Sequence, residues 1–280
     1  MPDTSRSTPE DRIQSLLEQA QCLHRTLSSE PIHSTWAELC ELIETGDLGD
    51  LTRHPVLEEL YTSSFNPLIK QTYGSVETYL RTQLAFDNPS TSTIEEKEWW
   101  DSQEATRKSK RGGSQARVRK NDWGYSIPKG VEHYVVWVNR PLFHPALCQE
   151  FSSSSTSTLP TGSNCENRET TIGDEEDEEE MKRNTWEFVQ EHGVSGLTGM
   201  GSKRSRTRRR NFTHATTDSS LEKAEEEEVV TRGPGREIEN FVRNEWKVKE
   251  GYETAWFANP PRLQSVPGLA HFHVMVKKTI

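Results

Sequence analysis

Apolar positions in the first 85 residues recur three and four apart. After Thr8-Pro9-Glu10-Asp11, which supplies a cap, a proline at the first helical position and early acids, come Ile13, Leu16, Leu17, Ala20, Leu23 and Leu27. This spacing predicts an amphipathic helix. Thr35 with Glu38 forms a capping box ahead of Trp36, Leu39, Leu42 and Ile43, and Gly46 ends that face, so a second helix is expected. Leu51 to Ile69 carries Val56, Leu57, Leu60, Tyr61, Phe65 and Leu68, and Ser75 restarts the pattern through Tyr79, Leu80 and Leu84. Strand signals come later. Val131–Val138 is β-branched and aromatic and stops at Asn139-Arg140-Pro141. Pro234-Gly235 opens a helix with Ile238, Phe241, Val242 and Trp246 on one side, and Tyr252–Ala258 and His271–Val276 read as two more strands. The proline-rich 259–268 loop between them is too short for a crossover helix. The predicted class is therefore α+β: N-terminal helices followed by a small antiparallel sheet with a packed helix.

Two stretches interrupt this order. Residues 88–118 hold basic Arg107, Lys108, Lys110 and Arg111 before Gly112-Gly113 and read as a low-complexity loop. Residues 151–235 run through a serine-threonine tract, the acidic block Asp174–Glu180, the basic block Lys203–Arg210 and the acidic run Glu225–Glu228, and read as a disordered charged insert. The expected organisation is a flexible 1–10, a helical part of the core at 11–87, a strand-containing part at 119–150, and a helix with strands of the same core at 236–280. Stretching a ten-residue connection to the length of the insert costs only about 2 kcal/mol in closure entropy, so the separated parts can still meet.

Composition agrees that the core is confined. Of 280 residues, 31% are hydrophobic and 28% charged, and mean hydropathy is −0.86, on the margin between globular and disordered chains. With 34 basic against 44 acidic residues the net charge is −10, which disfavours nucleic acid as a partner. No long apolar run and no secretory start is present, so no membrane association is expected and a cytoplasmic location is, with Lys203–Arg210 either a nuclear-import or anion-docking peptide or a solvated charge block. Cys22, Cys40, Cys148 and Cys165 lack paired spacing and are expected as free thiols. Nothing in the sequence calls for a metal or other cofactor, and the glycines lack the setting of a phosphate loop. Within the insert, Trp186–Val189 is the one apolar island, either a partner-docking motif or a chance cluster.

Three segments together resemble the fungal N-acetylglucosamine-induced protein family, a family defined by a domain of unknown function. They are Trp36–Leu39 through Tyr73–Val76, then Asn121-Asp-Trp-Gly-Tyr-Ser-Ile-Pro-Lys-Gly-Val-Glu-His-Tyr-Val-Val-Trp137, and finally Trp256–Asn259 with Arg262–Val274. One departure is Gly124-Tyr125-Ser126, where Pro-Tyr-Gly is expected. The resemblance implies a protein acting in amino-sugar response or metabolism, by binding a sugar nucleotide, a phosphorylated amino sugar or a protein partner.

A strand that opens near His133, a helix, a strand ending at Asn259, then Gln264-Ser265-Val266 and His271-Phe272-His273 are similar in order to the histidine-triad nucleotide-binding superfamily. Leu269 stands where that pattern has its first histidine, and the Gln-Ser-Val turn lies one residue farther from the pair. This likeness implies a nucleotide hydrolase or nucleotidyltransferase with His271 as nucleophile, His273 on the phosphate, and Asn259, Gln264 and Ser265 as binding groups. The residues themselves support part of it: histidines two apart on a strand face the same way, so one ring can attack while the other binds phosphate oxygens. Against this stand two other readings, a pair of histidines satisfied at a sheet edge and a zinc site completed by His133. Trp123, Tyr125, Trp137, Trp246 and Trp256 read either as core aromatics or as a sugar-stacking platform, Trp123 being the expected ligand contact.

Overall fold

The computed structural model describes residues 7–28, 31, 32, 35–85, 116–138, 142, 186–199 and 234–279. Thr8 caps α1 (Pro9–Leu27) through a capping box with Asp11, and Thr35 caps α2 (Trp36–Thr45) through another with Glu38. Gly46, at φ +81°, ends α2 in the left-handed conformation that a side chain would resist. α3 (Pro55–Leu60) runs through a π-helical turn, Tyr61–Phe65, directly into α4 (Asn66–Tyr73). Pro67 has no N–H to return to the carbonyl four residues back, and the helix widens just before it. Ser75 then caps α5 (Val76–Leu84) by accepting the Thr78 N–H.

The strands β1 (Ala116–Lys120), β2 (Val131–Val138), β3 (Val194–Thr198), β4 (Tyr252–Ala258) and β5 (His271–Lys278) form one sheet in the order β1-β2-β5-β4-β3. Every pairing is antiparallel. Central β5 is buried on both faces from His271 to Val276. Its even residues Phe272, Val274 and Val276 pack with Val136, Trp256 and the α6 (Pro234–Glu245) residues Ile238 and Val242. Its odd residues turn to the opposite face, where Met275 joins Ala255 and Phe257 under Leu39 and Ile43 of α2. Helices thus cover both faces of the sheet, and a third cluster ties α1, α3, α4 and α5 to Trp123. Among the described residues no helix is long and apolar enough to cross a membrane.

The α+β class stands, with two strands more than the sequence pattern suggests. β1 begins inside the 88–118 stretch read as a loop. Its Ala-Arg-Val-Arg-Lys sequence has little apolar signal because it is an edge strand, tied by Arg117 Nε to the Leu84 carbonyl (3.1 Å) and by Arg119 Nη2 to the Gln83 carbonyl (3.2 Å) at the end of α5. The second correction lies in the 151–235 insert: residues 186–192 are helical and β3 completes the sheet, with Val189 fully buried in the core. Gly196 sits against the Trp256 indole, where a Cβ would collide, so β3 owes its fit to a residue that weakens strand propensity. Trp186–Val189 therefore belongs, through Val189, to the fold itself. Residues 86–115, 143–185 and 200–233, with the acidic and basic blocks, lie outside the described residues.

Candidate functional site

The odd face of β5 meets β2 beneath the N-terminal helices, and three histidines gather there. Antiparallel register sets His133 opposite Met275 and His273 opposite Val135, so the two rings are diagonal neighbours on one face. His133 Nε2 lies 2.9 Å from His273 Nδ1, and the Tyr125 N–H donates to His133 Nδ1 at 3.2 Å. His271 turns back on its own chain: Nδ1 donates to the Leu269 carbonyl at 2.8 Å. Aromatic rings hold the imidazoles. Tyr125 stacks on His133 at 5.0 Å, Phe257 stacks on His273 at 4.9 Å, and Trp137 lies 4.7 Å from His271.

Burial strips solvation from all three rings and so disfavours their charged forms. It lowers His271 despite the raising effect of the Leu269 carbonyl, lowers His273 well below the ordinary imidazole value, and lowers His133 to about 3, with nearby His24 and Arg53 adding to the effect on His133. The imidazoles are neutral at physiological pH.

His271, His273 and Ser265 line a cavity of about 510 Å³ bounded by α1, the π-helical turn Tyr61–Phe65, α5 and the β1–β2 connection. Tyr61, Tyr79, Trp123 and Trp137 give it aromatic walls, and Arg53 and Arg119 give it positive charge. Arg53 lies 4.4 Å over the Tyr61 ring, pairs with Glu58 at 2.8 Å and donates through Nε to the Trp123 carbonyl at 2.8 Å. The Trp123 ring packs on Phe65 and Tyr61 at 4.7 and 5.2 Å. Its Nε1 is buried without a hydrogen-bond partner among the described residues.

The sequence-derived set divides here. His271, His273, Ser265 and Trp123 converge on the cavity. Asn259 and Gln264 do not line it: Gln264 Nε2 donates to the Asn259 carbonyl at 2.9 Å, and the Asn259 side chain lies beside the Tyr125 hydroxyl, whose pKa burial raises and this side chain, to a smaller extent, lowers, so this corner braces the loop next to the Tyr125 ring. His133 stands behind His273 and lines a second cavity of about 390 Å³. A zinc site would need one nitrogen of each ring aimed at a common point. Instead His133 and His273 aim nitrogens at each other, and His271 aims Nδ1 at a backbone carbonyl. The pair is also not at a sheet edge, since β5 is the central strand. Arg53, Tyr61, Tyr79 and Arg119 escape sequence reasoning because their only local signals, helical amphipathicity and edge-strand charge, explain them without a site. Cys22 is an exposed free thiol and Cys40 is buried in the core, while Cys148 and Cys165 lie outside the described residues.

Fold and cavity together define an α+β protein with a two-sided antiparallel sheet and a buried histidine floor. The chain belongs to the family described as protein of unknown function (DUF3605), matched over residues 35–191 and 214–277. No curated protein matches it. A solved structure titled "Crystal Structure of HTC1" is similar at 16% identity over 88% of this chain and 86% of that chain, with a TM-score of 0.36.

Proposed function

We propose that the 510 Å³ cavity binds a phosphorylated amino sugar or a sugar nucleotide, the phosphate on the histidine floor and the ring or base against the aromatic walls. The observation that carries this is the convergence of His271, His273 and Ser265 at the base of a cavity whose size suits a small ligand. Arg53 and Arg119 supply a field for an anion. The resemblance to the N-acetylglucosamine-induced family directs the reading to amino-sugar response or metabolism in fungi. The same reading takes 11–87, 119–150 and 236–280 as one core in a cytoplasmic protein, with Lys203–Arg210 as an import or docking peptide and the flanking charged segments open to a protein partner. Thermal denaturation tests it: a phosphorylated amino sugar or UDP-sugar at millimolar concentration raises the melting temperature, whereas no stabilisation by any amino sugar, sugar phosphate or UDP-sugar removes the reading.

A second reading is favoured by the bond from His271 Nδ1 to Leu269. With its proton held on Nδ1, the ring presents a bare Nε2 lone pair, the form a nucleophile requires. In a histidine-triad-like hydrolase or transferase, Nε2 forms a bond to phosphorus as the bond to the leaving oxygen, or to nitrogen in a phosphoramidate, breaks and the leaving atom takes a proton from water. Water or an acceptor hydroxyl then cleaves the phosphorus–nitrogen bond and restores the ring, and Ser265 steadies a phosphate oxygen. Turnover of a nucleoside phosphoramidate or UDP-sugar that disappears in folded His271→Ala supports this step. Equal rates for both proteins eliminate it and leave the binding reading intact.

A further inference from the structure

His133 does not line the main cavity, yet it holds a ring that does. A backbone N–H can only donate, so the 3.2 Å contact from Tyr125 makes His133 Nδ1 an acceptor. A neutral imidazole has one donor nitrogen and one acceptor nitrogen, which puts the His133 proton on Nε2. Two groups lie near that proton. Asn121 Nδ2 stands 3.4 Å away and is itself a donor, its Oδ1 being occupied by the Trp123 N–H at 3.0 Å. The acceptor is therefore His273 Nδ1, at 2.9 Å.

The consequence passes along the chain. With Nδ1 accepting, His273 carries its own proton on Nε2. His271 is the reverse: a carbonyl can only accept, so the 2.8 Å contact with Leu269 keeps the proton on Nδ1 and leaves Nε2 bare. Neither Nε2 has a hydrogen-bond partner among the described residues. The two rings stand 5.5 Å apart, edge to face, on the lining of one cavity.

We propose that His133 is a positioning residue that sets the tautomer of His273 opposite to that of His271, so that the cavity floor offers an N–H donor beside a lone pair. Such a floor matches a phosphoryl group, whose oxygens take the donor while the electron-poor phosphorus faces the lone pair. This ligand class rests on the binding reading above; the tautomers do not. The pair is also poor for a cation, since one of the two presented nitrogens carries a hydrogen. His133 exerts this control from the wall of the second cavity, on the same face of the sheet.

Long-range proton–nitrogen NMR on the full chain labelled with nitrogen-15 reads the tautomers directly. His271 is expected to show a pyrrole-like Nδ1 and a pyridine-like Nε2, and His273 the reverse; the same tautomer in both rings overturns the proposal. His133→Phe keeps a ring against Tyr125 and deletes the donor, so His273 is expected to shift to a mixture of tautomers while His271 stays unchanged. His133→Gln, whose amide nitrogen can stand in for Nε2, is expected to restore the His273 pattern. A folded His133→Phe protein in which His273 keeps the proton fully on Nε2 overturns the role given to His133. If that variant does not fold, the wild-type spectrum and His133→Gln decide, and a mixed His273 in wild type counts against the proposal. Titration with inorganic phosphate is expected to move the Nε2 resonances of both rings. Opposite tautomers with no phosphate response uphold the role of His133 and overturn the ligand class.

Discussion

Arg53 and Trp123 are joined by a 2.8 Å hydrogen bond from Nε to the main-chain carbonyl, which ties the segment before α3 to the turn that follows β1. The same guanidinium pairs with Glu58 and covers Tyr61, so one side chain fixes two walls of the cavity. Arg53→Ala is expected to lower stability by about 1–3 kcal/mol, because a charge-assisted bond and a cation–π contact are lost together. Arg53→Lys restores little of it, since a lysine cannot fork between the carbonyl and Glu58. Denaturant titration of the three proteins checks this, and a lysine variant as stable as wild type contradicts it.

Trp123→Phe separates packing from hydrogen bonding. Trp123 Nε1 has no hydrogen-bond partner among the described residues, so removing the N–H while keeping a ring is expected to leave stability within about 1 kcal/mol. Affinity for a phosphorylated ligand should fall several-fold. Calorimetry beside thermal denaturation distinguishes the two effects, and a large loss of stability would show that Trp123 serves the core alone.

The buried imidazoles set an acid limit. His24, His133, His271 and His273 are lowered by burial, His133 to about 3, while in the unfolded chain they titrate near 6.5. Between these values the unfolded state binds more protons, so stability is full above about pH 7 and falls as pH drops through 6.5. Between about 3 and 6.5 the neutral His133 ring contributes about 1.4 kcal/mol of loss per pH unit, and the other lowered rings act in the same direction. Denaturant titrations at pH 7.5, 6 and 5 should show this slope, and His133→Gln should flatten it by about one ring's share. A stability independent of pH from 7.5 to 5 would mean the rings are not buried as neutral groups.

Gly196→Ala tests β3. A methyl group there meets the Trp256 indole of β4, which is itself fully buried. The expected loss is about 1–3 kcal/mol. An unchanged midpoint in denaturant would place Val194–Thr198 away from β4.

Helix starts and central strands were legible because their chemistry is local. Thr8 with Asp11 and Thr35 with Glu38 announce two helices by spacing alone, and the β-branched run at Val131–Val138 announces β2. The edge strands were not. β1 is stabilised by arginines reaching the end of α5, and β3 by a glycine that admits a distant tryptophan, neither of which leaves an apolar alternation. In the site, His271 and His273 could be placed together from strand period, and Ser265 from its closeness in sequence. Asn259 and Gln264 sat at suggestive spacing but spend their polar groups on the loop and on Tyr125. Arg53 and Tyr61 reach the cavity only through packing of helices seventy or more residues before β2, which no local pattern reports.

The placement of β5 has a consequence for biogenesis. It is made after every other strand, yet it forms the seam between β1-β2 on one side and β4-β3 on the other. While the ribosome is still short of His271, those two halves share no strand pairing among the described residues, and the helices over the odd face lack the central strand they rest on. Assembly of this sheet therefore waits for β5 and closes contacts across sequence separations such as the 140 residues between His133 and His273, a non-local topology of the kind that folds slowly.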